Sequence, residues 1–74
     1  MNLNERIGYE MRNQRLLKRM TLEQVAKAMG YDSKNSLSRI ERGIKEITVI
    51  DLQNFCEVVG CSWIEILEKV SRES

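Results

Sequence analysis

Three times along the chain a hydroxyl residue is followed, three places later, by a side chain that can reach back to it: Thr21-Leu-Glu-Gln24, Thr48-Val-Ile-Asp51 and Ser62-Trp-Ile-Glu65. Each is the signature of a helix N-terminus, where the hydroxyl accepts from a backbone N–H and the later side chain returns to the cap. Glycines stand where the helices must stop, at Gly30, Gly43 and Gly60, because glycine can take the left-handed conformation of a tight helix exit. Punctuation at this spacing admits only short helices. No stretch alternates apolar and polar residues long enough to make a strand, so the expected fold is all-α.

Five helices fill the chain. The first runs from about residue 4 to 18, with Leu3, Ile7 and Met11 stepping by four down one side. The second starts at the Thr21 capping box, carries Val25, Ala26 and Met29 inward and stops at Gly30, about nine residues in all. Ser33 is the expected N-cap of the third, which continues through Leu37 and Ile40 to Gly43. The fourth and fifth span about 48–70, broken at Gly60, and offer Leu52, Phe55, Cys56, Val59, Trp63 and Leu67 as core. With 74 residues there is room for one small core, and no proline, linker or low-complexity run divides the chain. The expectation is a single compact unit over residues 1–74.

The net charge of +1 conceals a split. Residues 1–45 carry ten Lys and Arg against five acids, a net of +5; residues 46–74 carry two against six, a net of −4. One end of the folded domain should therefore face a polyanion and the other solvent or a partner. Cys56 and Cys61 are the only cysteines and there is no histidine, which falls short of a zinc set. No metal or cofactor is expected, and the thiols read as structural. Neither a signal peptide nor an apolar run of about 18 residues is present, pointing to a cytoplasmic protein with reduced thiols and no membrane partner.

The stretch YDSKNSLSRIERG, residues 31–43, holds the functional interest. On a helical wheel Leu37 and Ile40 fall on one edge, while Asn35, Ser38, Arg39 and Arg42 fall on the opposite one. Ala26 is small where a second helix must cross closely, Gly30 makes the turn, and Leu37 and Ile40 anchor the third helix on the core. This is the logic of a helix-turn-helix, about residues 21–43. A helix about 10–12 Å wide fits the major groove of B-DNA, and its positive N-terminal end meets the phosphates on entry.

Through "LEQVAKAMG", "SLSRIERG" and "LQNFCEVVGCSWIEIL" the sequence resembles the Cro/CI-type (XRE) helix-turn-helix regulators, which include small phage repressors and restriction-modification controller proteins. The resemblance runs from about Ile7 to Leu67 and implies a five-helix, lambda-repressor-like DNA-binding domain. Arg15 and Glu41 match a partly buried ion pair tying the first helix to the third, and the wheel agrees, since Glu41 falls beside the apolar edge. The resemblance places Lys34, Asn35 and Arg39 at base edges, with Ser36 and Ser38 as short secondary contacts. Their chemistry suits the role: Arg and Lys donate to guanine O6 and N7, and Asn pairs with adenine N6 and N7. The resemblance also implies that Ser33 caps the helix and touches a phosphate, and Lys27, Arg42 and Lys45 are expected to contact phosphates rather than bases.

Three positions depart from the family pattern. The turn Gly30-Tyr-Asp-Ser33 is one residue longer than the commonest spacing, which leaves the base-contact register open by one position. Leu22 stands where many relatives have a phosphate-contacting glutamine, so Thr21 or Gln24 is expected to substitute. Arg19 occupies the usual glycine at the end of the first helix, implying a strained turn or a different exit.

Ile50 and Ile64 are apolar where the family pattern is more often polar, and extra apolar surface on a small domain asks to be covered. A two-fold homodimer would cover it and set two third helices about 34 Å apart, reading an inverted repeat in double-stranded DNA. The expected function is a sequence-specific transcriptional regulator, a repressor more readily than an activator, with no small-molecule ligand. The alternative is a protein-interaction module on the same fold, such as an antitoxin, with DNA binding secondary or lost. Catalysis is excluded by the lack of histidine, of a phosphate loop and of a nucleophile beside a base.

Overall fold

The computed structural model describes residues 1–72, which form five α-helices and no strand: α1 Leu3–Leu17, α2 Leu22–Ala28, α3 Lys34–Glu41, α4 Val49–Val59 and α5 Trp63–Arg72. They pack into a body 32 × 23 × 21 Å, with α1 touching α3, α4 and α5, and α2 crossing both α3 and α4.

The caps behave as the sequence dictates. The Thr21 hydroxyl accepts from the Gln24 N–H at 3.1 Å while the Gln24 carboxamide oxygen accepts from the Thr21 N–H at 2.9 Å. Thr48 and Ser62 accept from the N–H groups of Asp51 and Glu65 in the same way. A further capping box lies at the chain start, where Asn2 and Glu5 bond reciprocally and begin α1 at Leu3, one residue before the start expected at about residue 4. Leu3 consequently lies outside the buried stripe, 63% exposed, and Ile7 and Met11 alone carry it.

All four interhelical exits use one device. A residue with positive φ follows the helix, and the N–H beyond it bonds a carbonyl five residues back: Met20 to Arg15, Tyr31 to Ala26, Ile44 to Arg39 and Cys61 to Cys56. Three of the left-handed residues are Gly30, Gly43 and Gly60. The fourth is Arg19, at φ 56°, so the departure from glycine is met by the same exit with a side chain held in the disfavoured region. The second helix is shorter than its sequence suggests, because Met29 already serves as its C-cap.

Phe55, Met11, Leu37, Ile40, Val25 and Val70 are the largest fully buried side chains, joined by Ile7, Ala26, Leu52, Cys56, Val59 and Ile66. On α5 the inward face is Ile66 and Val70; Trp63 and Leu67, expected in the core, only flank it, half-buried. Because α5 lies against α1, the residues one step round the helix from Trp63 and Leu67 face inward. Glu10 is also buried, held by Lys69 of α5 at 3.2 Å.

Candidate nucleic-acid interface

The third helix begins at Ser33, whose extended backbone (φ −148°, ψ 147°) breaks the chain direction and whose Oγ accepts from the Asn35 N–H at 3.1 Å. Leu37, Ile40 and Glu41 turn inward against α1 and α2. This leaves Lys34, Asn35 and Arg39 exposed and Ser36 and Ser38 half-buried. One cation and one carboxamide therefore crowd the first turn, at the positive end of the helix.

Arg15 fixes where that face points. Its Nε and one terminal nitrogen donate to the two carboxylate oxygens of Glu41, at 2.8 and 3.0 Å, and the other terminal nitrogen donates to the Met20 carbonyl at 2.8 Å. Both residues are buried, so the bidentate pair ties α3 to α1 and to the turn leading into α2. Backbone contact reinforces it: at Gly8 a Cβ would collide with the carbonyl oxygens of Ile40 and Glu41. The end of α3 thus lies directly on the α1 backbone.

Cations and donors surround this helix. Lys27, Arg42 and Lys45 are exposed, and the Arg42 Nε donates to the Ser38 carbonyl at 3.4 Å, bending that side chain back along α3. The Thr21 and Gln24 side chains spend their acceptors on each other's backbone, and the hydroxyl proton and carboxamide NH2 remain to donate outward. Lys27, Ser33 and Lys34 line one groove with Glu23, Ala26, Tyr31 and Asp32. Residues 29–33 join α2 to α3, and Tyr31 in that turn is pinned toward α4: its hydroxyl is buried without a well-formed hydrogen bond, and burial first, then the neighbouring Asp51 carboxylate, push it up to about 12.

Away from this face, Ile50 and Ile64 are 69% and 52% exposed, and Val49 beside Ile50 is exposed as well. Cys56 and Cys61 are free thiols, Cys56 being buried in the core. Among the described residues no group of His, Cys, Asp and Glu side chains is placed to hold a metal, and no helix is long and apolar enough to cross a membrane.

The sequence reading passed over Gly8, Tyr31 and Glu10. Glu10 carried a signal, lying three positions after Ile7 on the buried side of α1; Gly8 carried none, because a glycine inside a helix does not say what approaches it.

A short polar helix, buried on one edge and braced by a buried ion pair behind a capped partner helix, is a helix-turn-helix, and the similarities that follow make its class that of the DNA-binding regulators and not the enzymes. The helix-turn-helix family profile matches residues 11–66, and the chain belongs to that family. The structure is similar to that of the clp gene regulator ClgR from Corynebacterium glutamicum, with a TM-score of 0.91 and 32% identity over 99% of this chain and 94% of that one. It is also similar to a point mutant of the restriction-modification controller protein C.Esp1396I, with a TM-score of 0.83 and 25% identity over 99% and 91% of the two chains. No curated protein matches the sequence. The Cro/CI-type resemblance and the five-helix all-α fold it implied are both borne out.

Proposed function

We propose that the protein is a cytoplasmic transcriptional repressor that binds an inverted-repeat operator in double-stranded DNA as a homodimer, inserting α3 into the major groove. The observation that carries this reading is the exposed set Lys34, Asn35 and Arg39 on a helix whose other edge is anchored by Leu37, Ile40 and Glu41. These three read base edges, with Ser36 and Ser38 making shorter contacts. Thr21, Gln24, Lys27, Ser33, Arg42 and Lys45 hold phosphates and fix the register without reading sequence. Repression follows from occupancy, since a bound dimer blocks RNA polymerase, and protein concentration sets that occupancy through the coupled dimer and DNA equilibria.

Ile50 and Ile64 form the dimer surface in this reading, supported by their exposure and by the acidic character of the α4–α5 half, which turns away from DNA. The two similar structures named above are of a gene regulator and a restriction-modification controller protein, which supports a regulatory output.

The test is selection of bound duplexes from a random DNA pool at near-physiological salt, followed by sequencing. An enriched inverted repeat is the expected result. Folded protein that enriches nothing would sink the reading in favour of a protein-interaction module, and a monomer by sedimentation equilibrium would sink the dimer.

A further inference from the structure

A second groove, with an excess of positive charge, is walled by Tyr9 and Arg12 of α1, Leu22 at the start of α2, and Ser38 and Arg42 at the end of α3. Its floor is the Arg15–Glu41 pair, whose charges cancel against each other. The uncompensated charges facing the groove are therefore Arg12 and Arg42, both positive.

Arg12 is exposed and, among the described residues, its side chain has no hydrogen-bond or ion-pair partner. Tyr9, one helical turn earlier on the same face, is half-exposed and presents a phenol that can donate. Across the groove, Arg42 is held through Nε, which leaves the donors of its two terminal nitrogens available. Two guanidinium groups and a phenol about a neutral floor match a phosphodiester, which accepts several donors at once and carries a single negative charge. Ser38 and Arg42 line this groove from the same helix that carries Lys34, Asn35 and Arg39, so Arg12 of α1 shares a groove with the end of α3.

We propose that Arg12 of α1, together with Arg42 and assisted by Tyr9, binds backbone phosphates of the same duplex that α3 enters, so that the first helix is part of the DNA interface. The inference rests on the DNA-binding reading above. It gives α1 two jobs: Arg15 on its inner side positions α3 from within, and Arg12 clamps the DNA strand that α3 lies beside. The clamp holds the α1–α3 unit against the backbone without reading sequence.

The test is a potassium chloride titration of binding to the selected duplex and to a short mixed-sequence duplex, comparing wild type, Arg12→Ala, Arg12→Gln and Arg72→Ala. Loss of one phosphate contact lowers the slope of log affinity against log salt by about one and weakens both duplexes alike, by roughly three- to tenfold. Both Arg12 variants are expected to show this, and Arg72→Ala, at the far end of α5, is expected to match wild type. Far-UV circular dichroism confirms that each variant is folded; the exposed, unpaired position makes Arg12→Gln the milder of the two. An unchanged slope in folded Arg12 variants, with wild type binding normally, overturns the clamp and leaves the DNA-binding reading intact. A loss confined to one duplex sequence also overturns it, because Arg12 would then be reading bases. Wild type that binds neither duplex defeats the functional reading itself, and the clamp with it.

Discussion

Glu41 of α3 receives two donors from the Arg15 guanidinium of α1, at 2.8 and 3.0 Å, while the third arm of that arginine reaches the Met20 carbonyl. One side chain thereby couples the third helix, the first helix and the turn into α2. The arrangement is asymmetric in its energetics. Making the pair barely offsets the cost of drying two charges, but removing one partner strands the other in the core.

Arg15→Ala and Glu41→Ala should therefore each destabilise the fold by about 3–5 kcal/mol. The double variant should lose less than the sum of the two, since neither charge is then left unpaired. Urea titrations followed by circular dichroism would check this, and additive losses would show that the pair does not act as a unit.

Gly8→Ala should cost on the order of 3 kcal/mol, the upper end for an overpacked site, because the added methyl meets backbone oxygens of Ile40 and Glu41 that cannot rotate away. The same change at an exposed helical site would stabilise, as alanine favours helix. A melting temperature at or above wild type would disprove the close approach of α1 and α3.

Arg19→Gly should raise stability by about 1 kcal/mol. Arg19 sits at φ 56°, where a Cβ is penalised by roughly 1–2 kcal/mol, and that relief exceeds the entropy glycine gains in the unfolded chain. Thermal unfolding of the variant reads the sign directly.

Tyr31 sets an alkaline limit on stability. Its folded pKa is raised from 10.0 to about 12, by burial first and then by Asp51, so folding favours the protonated phenol. That contribution is fully present below pH 10 and is lost as pH rises toward 12, where the unfolded chain releases the proton and the folded chain holds it. Tyr31→Phe should flatten the fall in stability across this window. Near neutral pH it should be neutral or slightly stabilising, since it removes a buried hydroxyl that lacks a well-formed bond. Denaturant midpoints from pH 9 to pH 12 for both proteins would decide the matter.

Asn35→Ala should reduce preference for the selected duplex more than affinity for mixed-sequence DNA, by about 1–3 kcal/mol of discrimination, because a carboxamide reads adenine through two bonds. Equal loss on both duplexes would remove Asn35 from base readout.

The positions of the helices were legible because their signals are local. Thr21 with Gln24, Ser33, Thr48 and the three left-handed glycines each act within one turn of chain, so neighbours in sequence suffice to place them. The Asn2–Glu5 box is of the same local kind, an asparagine taking the place of the hydroxyl residue. Leu3, Trp63 and Leu67 misled for a different reason. Apolar character says that a residue can be buried, whereas the faces that α1 and α5 turn toward the rest of the core decide which of them is.

By itself, then, the sequence determined five short helices, an outward polar edge on the third, and opposite charge in the two halves, because capping, periodicity and net charge depend on residue order alone. Tertiary structure decided the rest. Only packing brings Arg12 of α1 to the same groove as Arg42 at the end of α3, seats α3 on Gly8, and aims Ile66 and Val70 inward in place of Trp63 and Leu67. Those relationships join residues far apart in the chain, and their energies come from excluded volume and dehydration at the contact, which a one-dimensional pattern does not encode.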